Sequence, residues 1–400
     1  MKSTPNTTNI HQTGVNTAYL YVFPWIYIEK PIRLQQIALY PWPSKSTKEL
    51  LENDSEWDTS ILENIIERFR DPSGKPVESL GIVFIKSSPW IHENNHEAHR
   101  LIELFHIALR LLHYRYYDYT FQENRYMRYQ MFRFQYEPSG TGSFSYQNWF
   151  QPSRQEIPDS ISMPDGLRMN SINFPVRRIR EVLQSIENAN SVVIHRIRLV
   201  LNILDIISLQ SSQKDLALSL HLMCDAISHL FGGDCVLSDD VLAFQIEDLW
   251  TFPFREYEYH PSIFKNKQIK QVTKVQSFRV VKQPSSKKSW LQAWLLELYR
   301  LKNEMSIGNT IHPKEYAWTI VQHLRIATEI VPLTILIMLS KDPESLLPLK
   351  NEDEKRIKNV DAYIQYAKAV WYNEGYPHPD QPEWLLGGTQ PNLWDSIPEK

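Results

Sequence analysis

Cysteine is nearly absent: Cys224 and Cys235 are the only two in 400 residues. Two cysteines cannot build a disulfide framework, and their scarcity fits a reducing compartment. Neither sits in a nucleophile motif. Glycine is scarce as well, at 12 residues, and Gly140-Thr141-Gly142 is too short for a phosphate-cradling loop. The most apolar run, Ile330 to Leu339, spans ten residues and contains Pro332, whereas a membrane-spanning helix needs ~20. Met1 to Val15 has no apolar core of the kind a secretion signal carries. Nor is there an overall excess of one charge, since 43 Lys and Arg stand against 46 Asp and Glu, a net of −3. These absences predict a soluble, cytoplasmic protein with no global electrostatic pull toward nucleic acid or membrane.

What is present is a large apolar inventory, 42% of the chain, with 12% aromatic residues and 25 prolines. That is enough for a packed core and, at roughly 150 residues per domain, for two or three domains. The expected fold class is α+β. Residues 1–150 read as an N-terminal α/β domain of mixed strands and helices. Ala18 to Ile28, Gln35 to Tyr40, Leu80 to Lys86 and Arg125 to Tyr136 have strand composition. Trp57 to Arg70 and Ile91 to Tyr116 have helical spacing. The proline-rich stretch 151–175 reads as a linker. Residues 176–345 are helical in pattern, interrupted by a basic insertion at 251–289. Helices are expected at Val176–Gln184, Val192–Leu209, Leu216–Phe231, Leu242–Trp250, Trp290–Met305 and Pro313–Ser340, with Pro332 kinking the last. A C-terminal helix from Asp361 and a tail fill 346–400.

Charge is unevenly distributed. Tyr259 to Leu296 contains no acid, and its Lys265, Lys267, Lys270, Lys274, Arg279, Lys282, Lys287 and Lys288 make a local charge of +8. The other 362 residues therefore carry −11. Clustering on one segment is the footprint expected of phosphate binding, although a solvated loop or an acidic partner would also accept it. A second patch interleaves Arg110, Arg115, Arg125, Arg128 and Arg133 with tyrosines and phenylalanines. Arginine for phosphate and aromatic faces for stacking suit single-stranded RNA, and an aromatic core face or a protein interface suits the same residues. His92, His96, His99, His106 and His113 share one side of the helix expected from Ile91, with Glu103 and Arg110. No further Cys or acid completes a ligand set, so the stripe reads as a polar helix face, and neither metal nor cofactor is expected.

Leu298 to Asn309, LYRLKNEMSIGN, closes a helix expected to start at Trp290. It resembles the signature segment of HEPN domains, helical domains found in many prokaryotic defence and toxin ribonucleases. Their hallmark is an Arg, then a polar residue, then a His four to six residues after the Arg, often followed by Gly. The resemblance spans roughly Val176 to Ser340 and places Lys302 at the Arg position, Asn303 at the polar one, Ile307 at the His one and Gly308 after it. It implies a helical bundle that pairs through its motif helices. It also implies loss of chemistry, because Lys lacks the planar fork and Ile cannot transfer a proton. The expectation is a catalytically degenerate RNA-binding or scaffold subunit of an antiviral-defence or RNA-processing assembly, with RNA and a protein partner or second copy as companions. The alternatives are an active, metal-independent endoribonuclease using Lys302, Asn303 and His312, or a partner-binding structural protein without nucleic acid.

Overall fold

The computed structural model describes residues 17–52, 59–116, 130–136, 144–148, 151–156, 159–163, 175–209, 216–231, 239–251, 289–307, 318, 320–345, 347–358, 360–361 and 363–364. At the coarse level the chain is α+β, with an antiparallel sheet and ten helices among the described residues. It divides into two compact units. One comprises Met1–Glu103, Gln130–Met163 and Met169–Ile172; the other comprises Leu104–Tyr129, Pro164–Arg168 and Asn173–Lys400.

The first unit is built on an eight-stranded antiparallel sheet. Its strands are β1 (Ala18–Phe23), β2 (Ile32–Arg33), β3 (Ile37–Trp42), β5 (Leu80–Ile85), β6 (Trp90–His92), β7 (Phe132–Tyr136), β8 (Phe144–Asn148) and β9 (Gln151–Glu156). The order is β2-β3-β5-β1-β7-β8-β9. On one flank β1 pairs first with β6, Ala18 opposite His92, and then with β5, Val22 opposite Ile82. On its other flank it pairs with β7, Leu20 opposite Phe134. Every residue of β1, β3 and β5 is buried, the pattern of strands covered on both faces. Gly81 permits that closeness, since a Cβ there would meet Ile28 Cδ1 at 2.7 Å. A small parallel pair, β4 (Phe69–Arg70) with β10 (Ile161–Ser162), lies apart from the sheet.

The stretch that reads as a linker from 151 thus carries two strands, β9 and β10. Its prolines and polar residues hide them because an edge strand tolerates Pro152 where a central one would not. Helices α1 (Lys45–Glu52) and α2 (Thr59–Ile66) intervene. Ser44 caps α1, its Oγ accepting from Thr47 N at 3.2 Å. Helix α3 (His96–Tyr116) starts at Asn95, whose Oδ1 accepts from Ala98 N at 3.1 Å. The deep core is aromatic: Trp25 and Phe69 meet edge to face at 5.5 Å, Phe69 and Phe132 at 5.2 Å, and Trp25 Nε1 donates to Gln130 Oε1 at 3.0 Å.

The second unit is helical: the later turns of α3, then α4 (Val176–Asn188), α5 (Ser191–Leu209), α6 (Leu216–Phe231), α7 (Asp239–Thr251), α8 (Trp290–Ser306), α9 (Ile320–Lys341) and α10 (Asn351–Lys358). α5 packs on α6, α6 on α8 and α9, and α7 on α8 and α9. Ser289 caps α8 through Gln292 N at 3.1 Å, and Asp361 Oδ1 accepts from Leu291 N at 2.9 Å. Pro332 lies inside α9. The apolar stretch around it is longer than the ten-residue run visible in the sequence: Gln322–Lys341 has the length and hydropathy of a membrane span, and 82% of that window is buried, as in a core helix. Two polar contacts tie α9 to α7, Trp250 Nε1 to Thr334 Oγ1 at 3.0 Å and Lys341 Nζ to Leu249 O at 2.8 Å.

Candidate functional site

The family-like segment occupies the last turns of α8, and what it faces is α6. On α6, His221, Asp225 and Ser228 recur at steps of four and three and so share one stripe; on α8, Tyr299, Lys302 and Ser306 do the same at steps of three and four. The two stripes meet antiparallel. Ser306 Oγ lies 2.7 Å from His221 Nε2, Lys302 Nζ 2.7 Å from Asp225 Oδ1, and Tyr299 Oη 2.9 Å from Ser228 Oγ. Each pair of residue numbers sums to 527 (221 and 306, 225 and 302, 228 and 299), so a single register generates all three contacts.

The seam runs from interior to surface. At its deep end Tyr299 Oη and Ser228 Oγ both lie within donating distance of Cys224 O, at 2.8 and 2.9 Å, beside the buried Cys224 thiol. In the middle the Lys302–Asp225 pair is 23% and 48% exposed, in the range where an ion pair contributes ~0–1 kcal/mol. At the outer end His221 Nδ1 faces Ala217 O at 2.8 Å, which places the ring hydrogen on Nδ1. Nε2 of a neutral ring is then an acceptor for Ser306. That hydroxyl also lies 2.9 Å from Lys302 O, so its one hydrogen serves one of two acceptors.

For phosphate chemistry the arrangement is unfavourable. The Lys302 ammonium is committed to a carboxylate that would repel a phosphate. Arg300, two residues earlier, is paired with Glu304 at 2.8 Å. Ile307 is 72% exposed just past the helix, and Asn303 is exposed. His312, the substitute proton carrier, lies outside the described residues, as do Lys265, Lys267, Lys270, Lys274, Arg279, Lys282, Lys287 and Lys288, and Arg125 and Arg128 of the second patch. Arg115 falls in the last turn of α3. Arg133, on β7, lies over the Tyr19 ring at 4.7 Å.

Arg110 and the histidine stripe behave differently from an even polar face. His92 and His96 are exposed, but His106 and Arg110 are 2% and 3% exposed. Arg110 is ion-paired with Asp205 and donates to Asn202 Oδ1 at 3.0 Å, both on α5. The stripe enters the interior along the helix because α5 supplies a carboxylate where the pattern predicts solvent. Sequence reading misses Asp225, His221 and Ser306 as partners of the motif. The signal is present in the matching steps on the two helices, but only pairing of those helices gives it meaning. Among the described residues no group of three His, Cys, Asp or Glu is placed to hold a metal ion. Compared with protein-family models, curated proteins and solved structures, the chain matches none.

Proposed function

We propose that the protein is a non-catalytic RNA-binding or scaffold subunit, cytoplasmic, whose helical residues 176–345 form a HEPN-like bundle following an N-terminal α/β domain, and that it works within a prokaryotic defence or RNA-processing assembly. The observation that carries this reading is the end of α8, where Lys302 is held by Asp225 at 2.7 Å and Ile307 stands exposed at the position of the family's histidine. A side chain that cannot take a proton and a cation already neutralised leave the two motif positions themselves without acid–base capacity. RNA contact is assigned to the acid-free segment 259–296, whose charge of +8 stands out in a chain of net −3.

The test uses the purified full chain and a fluorescent single-stranded RNA. Binding without cleavage is expected, and replacing Lys265, Lys267, Lys270 and Lys274 with Ala should lower the salt slope of binding by about 0.7 for each phosphate no longer neutralised. An unchanged slope removes the segment from the interface. No binding at low salt overturns the RNA assignment in favour of a partner-binding scaffold. Cleavage by the wild type that disappears in His312→Ala overturns the non-catalytic reading.

A further inference from the structure

The sheet unit holds a cluster that the proposed function does not use. His99, in the first turn of α3, stands between Tyr21 of β1 and the end of β6. Its Nε2 lies 3.1 Å from His92 O, and its Nδ1 2.7 Å from Tyr21 Oη. A carbonyl oxygen only accepts, so the ring hydrogen is on Nε2 and Nδ1 accepts from the Tyr21 hydroxyl. Arg133, a side chain that cannot be deprotonated, acts on the Tyr21 hydroxyl. The direction of the two bonds is therefore set: Tyr21 to His99, and His99 to His92 O. Alongside, Tyr19 packs edge-on to the His99 ring at 5.3 Å, lies under Arg133 and donates to Glu93 Oε1 at 3.3 Å.

This chain of bonds has one protonation state. A second hydrogen on His99 would occupy Nδ1 and point at a hydroxyl that is already donating to it. Tyr21 Oη would then have to turn from donating to His99 to accepting from it. Its own hydrogen would lose the His99 acceptor in a site where Tyr21 is only 4% exposed. The surrounding charges are divided. Arg133 on β7 and His96 on α3 oppose a cationic His99, whereas Glu93, just after β6, favours it; Glu103, farther along α3, acts on Tyr21. Burial outweighs them. It pushes the His99 imidazolium below the ordinary histidine range and the Tyr21 hydroxyl up to about 12.

We propose that His99 is an acid-sensitive latch, whose protonation breaks the Tyr21–His99–His92 chain and releases the first turns of α3 from the sheet. A released His99 binds its proton more readily than the docked one. Docking is therefore complete above the ordinary histidine value of ~6.5 and is lost as the pH falls through it toward the depressed value, by up to about tenfold per pH unit for one proton.

Hydrogen exchange of the amides of 96–103 in the full chain, at pH ~7.5 and ~5.5 and corrected for the intrinsic rate, reads this directly. Wild type should exchange about tenfold faster at the lower pH. In His99→Gln the response should be flat, because the amide oxygen can accept from Tyr21 and the amide nitrogen can donate to His92 O at either pH. Equal responses in the two proteins, or none in wild type, overturn the proposal. Nitrogen NMR of wild-type His99 keeps it testable if the variant does not fold: a hydrogen on Nε2 near neutral pH supports the latch, and one on Nδ1 overturns it.

Discussion

In the sheet unit a buried side-chain hydrogen bond joins two neutral groups, the Trp25 indole N–H and the Gln130 amide. The helical unit has one of that kind too, Trp250 to Thr334, and adds buried guanidinium–carboxylate pairs. Arg110 meets Asp205, and Arg178 meets Asp353 at 2.9 Å with both side chains 2% exposed. Arg178 also donates to Pro348 O, and Glu181 with Lys350 extends the cluster. The sheet satisfies its polar backbone through strand pairing and fills the remaining space with Trp25, Phe69, Phe132 and Phe134. Helices satisfy most of theirs internally and meet chiefly through side chains, so their backbones do little to set which turn faces which. A buried charge pair supplies that setting. It adds little over an apolar replacement of equal volume but penalises every packing that separates the partners.

The largest effects should separate the two units. Arg178→Ala leaves Asp353 charged and buried and is expected to cost ~3–5 kcal/mol, and Phe69→Ala about the same through its cavity. The repair differs. Arg178→Met with Asp353→Leu should recover most of the loss in urea unfolding, whereas Phe69→Ala has no charged partner whose removal could compensate. Failure of that recovery would break the contrast.

A second prediction concerns pH. His323 on α9 is wholly buried between Trp294 and Trp318, its Nε2 3.4 Å from Glu297 Oε1 without hydrogen-bond alignment. Burial pushes its pKa down, with Glu297 partly offsetting. The unfolded chain takes the proton first, so the contribution of His323 is complete above ~6.5 and declines below it. The urea midpoint followed by tryptophan fluorescence should fall with acidification, and the fall should be shallower in His323→Leu. An identical slope in both proteins would place the acid sensitivity elsewhere.

The smallest effect is expected at an exposed pair. Arg300→Ala removes the contact with Glu304, 57% and 22% exposed, and should shift stability by only ~0.3–0.5 kcal/mol. A destabilisation as large as that of Arg178→Ala would show that exposure does not divide the charged pairs of the helical unit.

Helices are the most legible elements. Val192 to Leu209, Leu216 to Phe231 and Trp290 to Met305 are readable within one or two residues, because apolar residues recur at helical spacing over four or more turns. Short strands are not: β2 and β4 have two residues each, too few for any period, and β9 carries the polar QPSRQE. The spacing predicts one helix over Pro313 to Ser340; the helix observed is Ile320–Lys341, and Trp318, described just before it, is a bend. Of the candidate site, Lys302 and Ile307 are legible as residues that depart from the signature of the HEPN domains the segment resembles. Asp225 and His221 are not, because they are remote in sequence and ordinary in composition.

By itself the sequence determined the helical repeat of the second half, the apolar strands of the first, the clustering of positive charge in 259–296 and the absence of a histidine at 307. Each is a property of neighbouring residues, expressed through backbone geometry or simple proximity along the chain. Tertiary structure alone decided that Arg110 finds Asp205 across 95 positions and Arg178 finds Asp353 across 175. It also decided that α6 and α8 mesh in the register pairing Lys302 with Asp225, and that His99 carries its hydrogen on Nε2. A charged side chain is defined by its partner, and the partner is chosen when elements pack and water is removed between them.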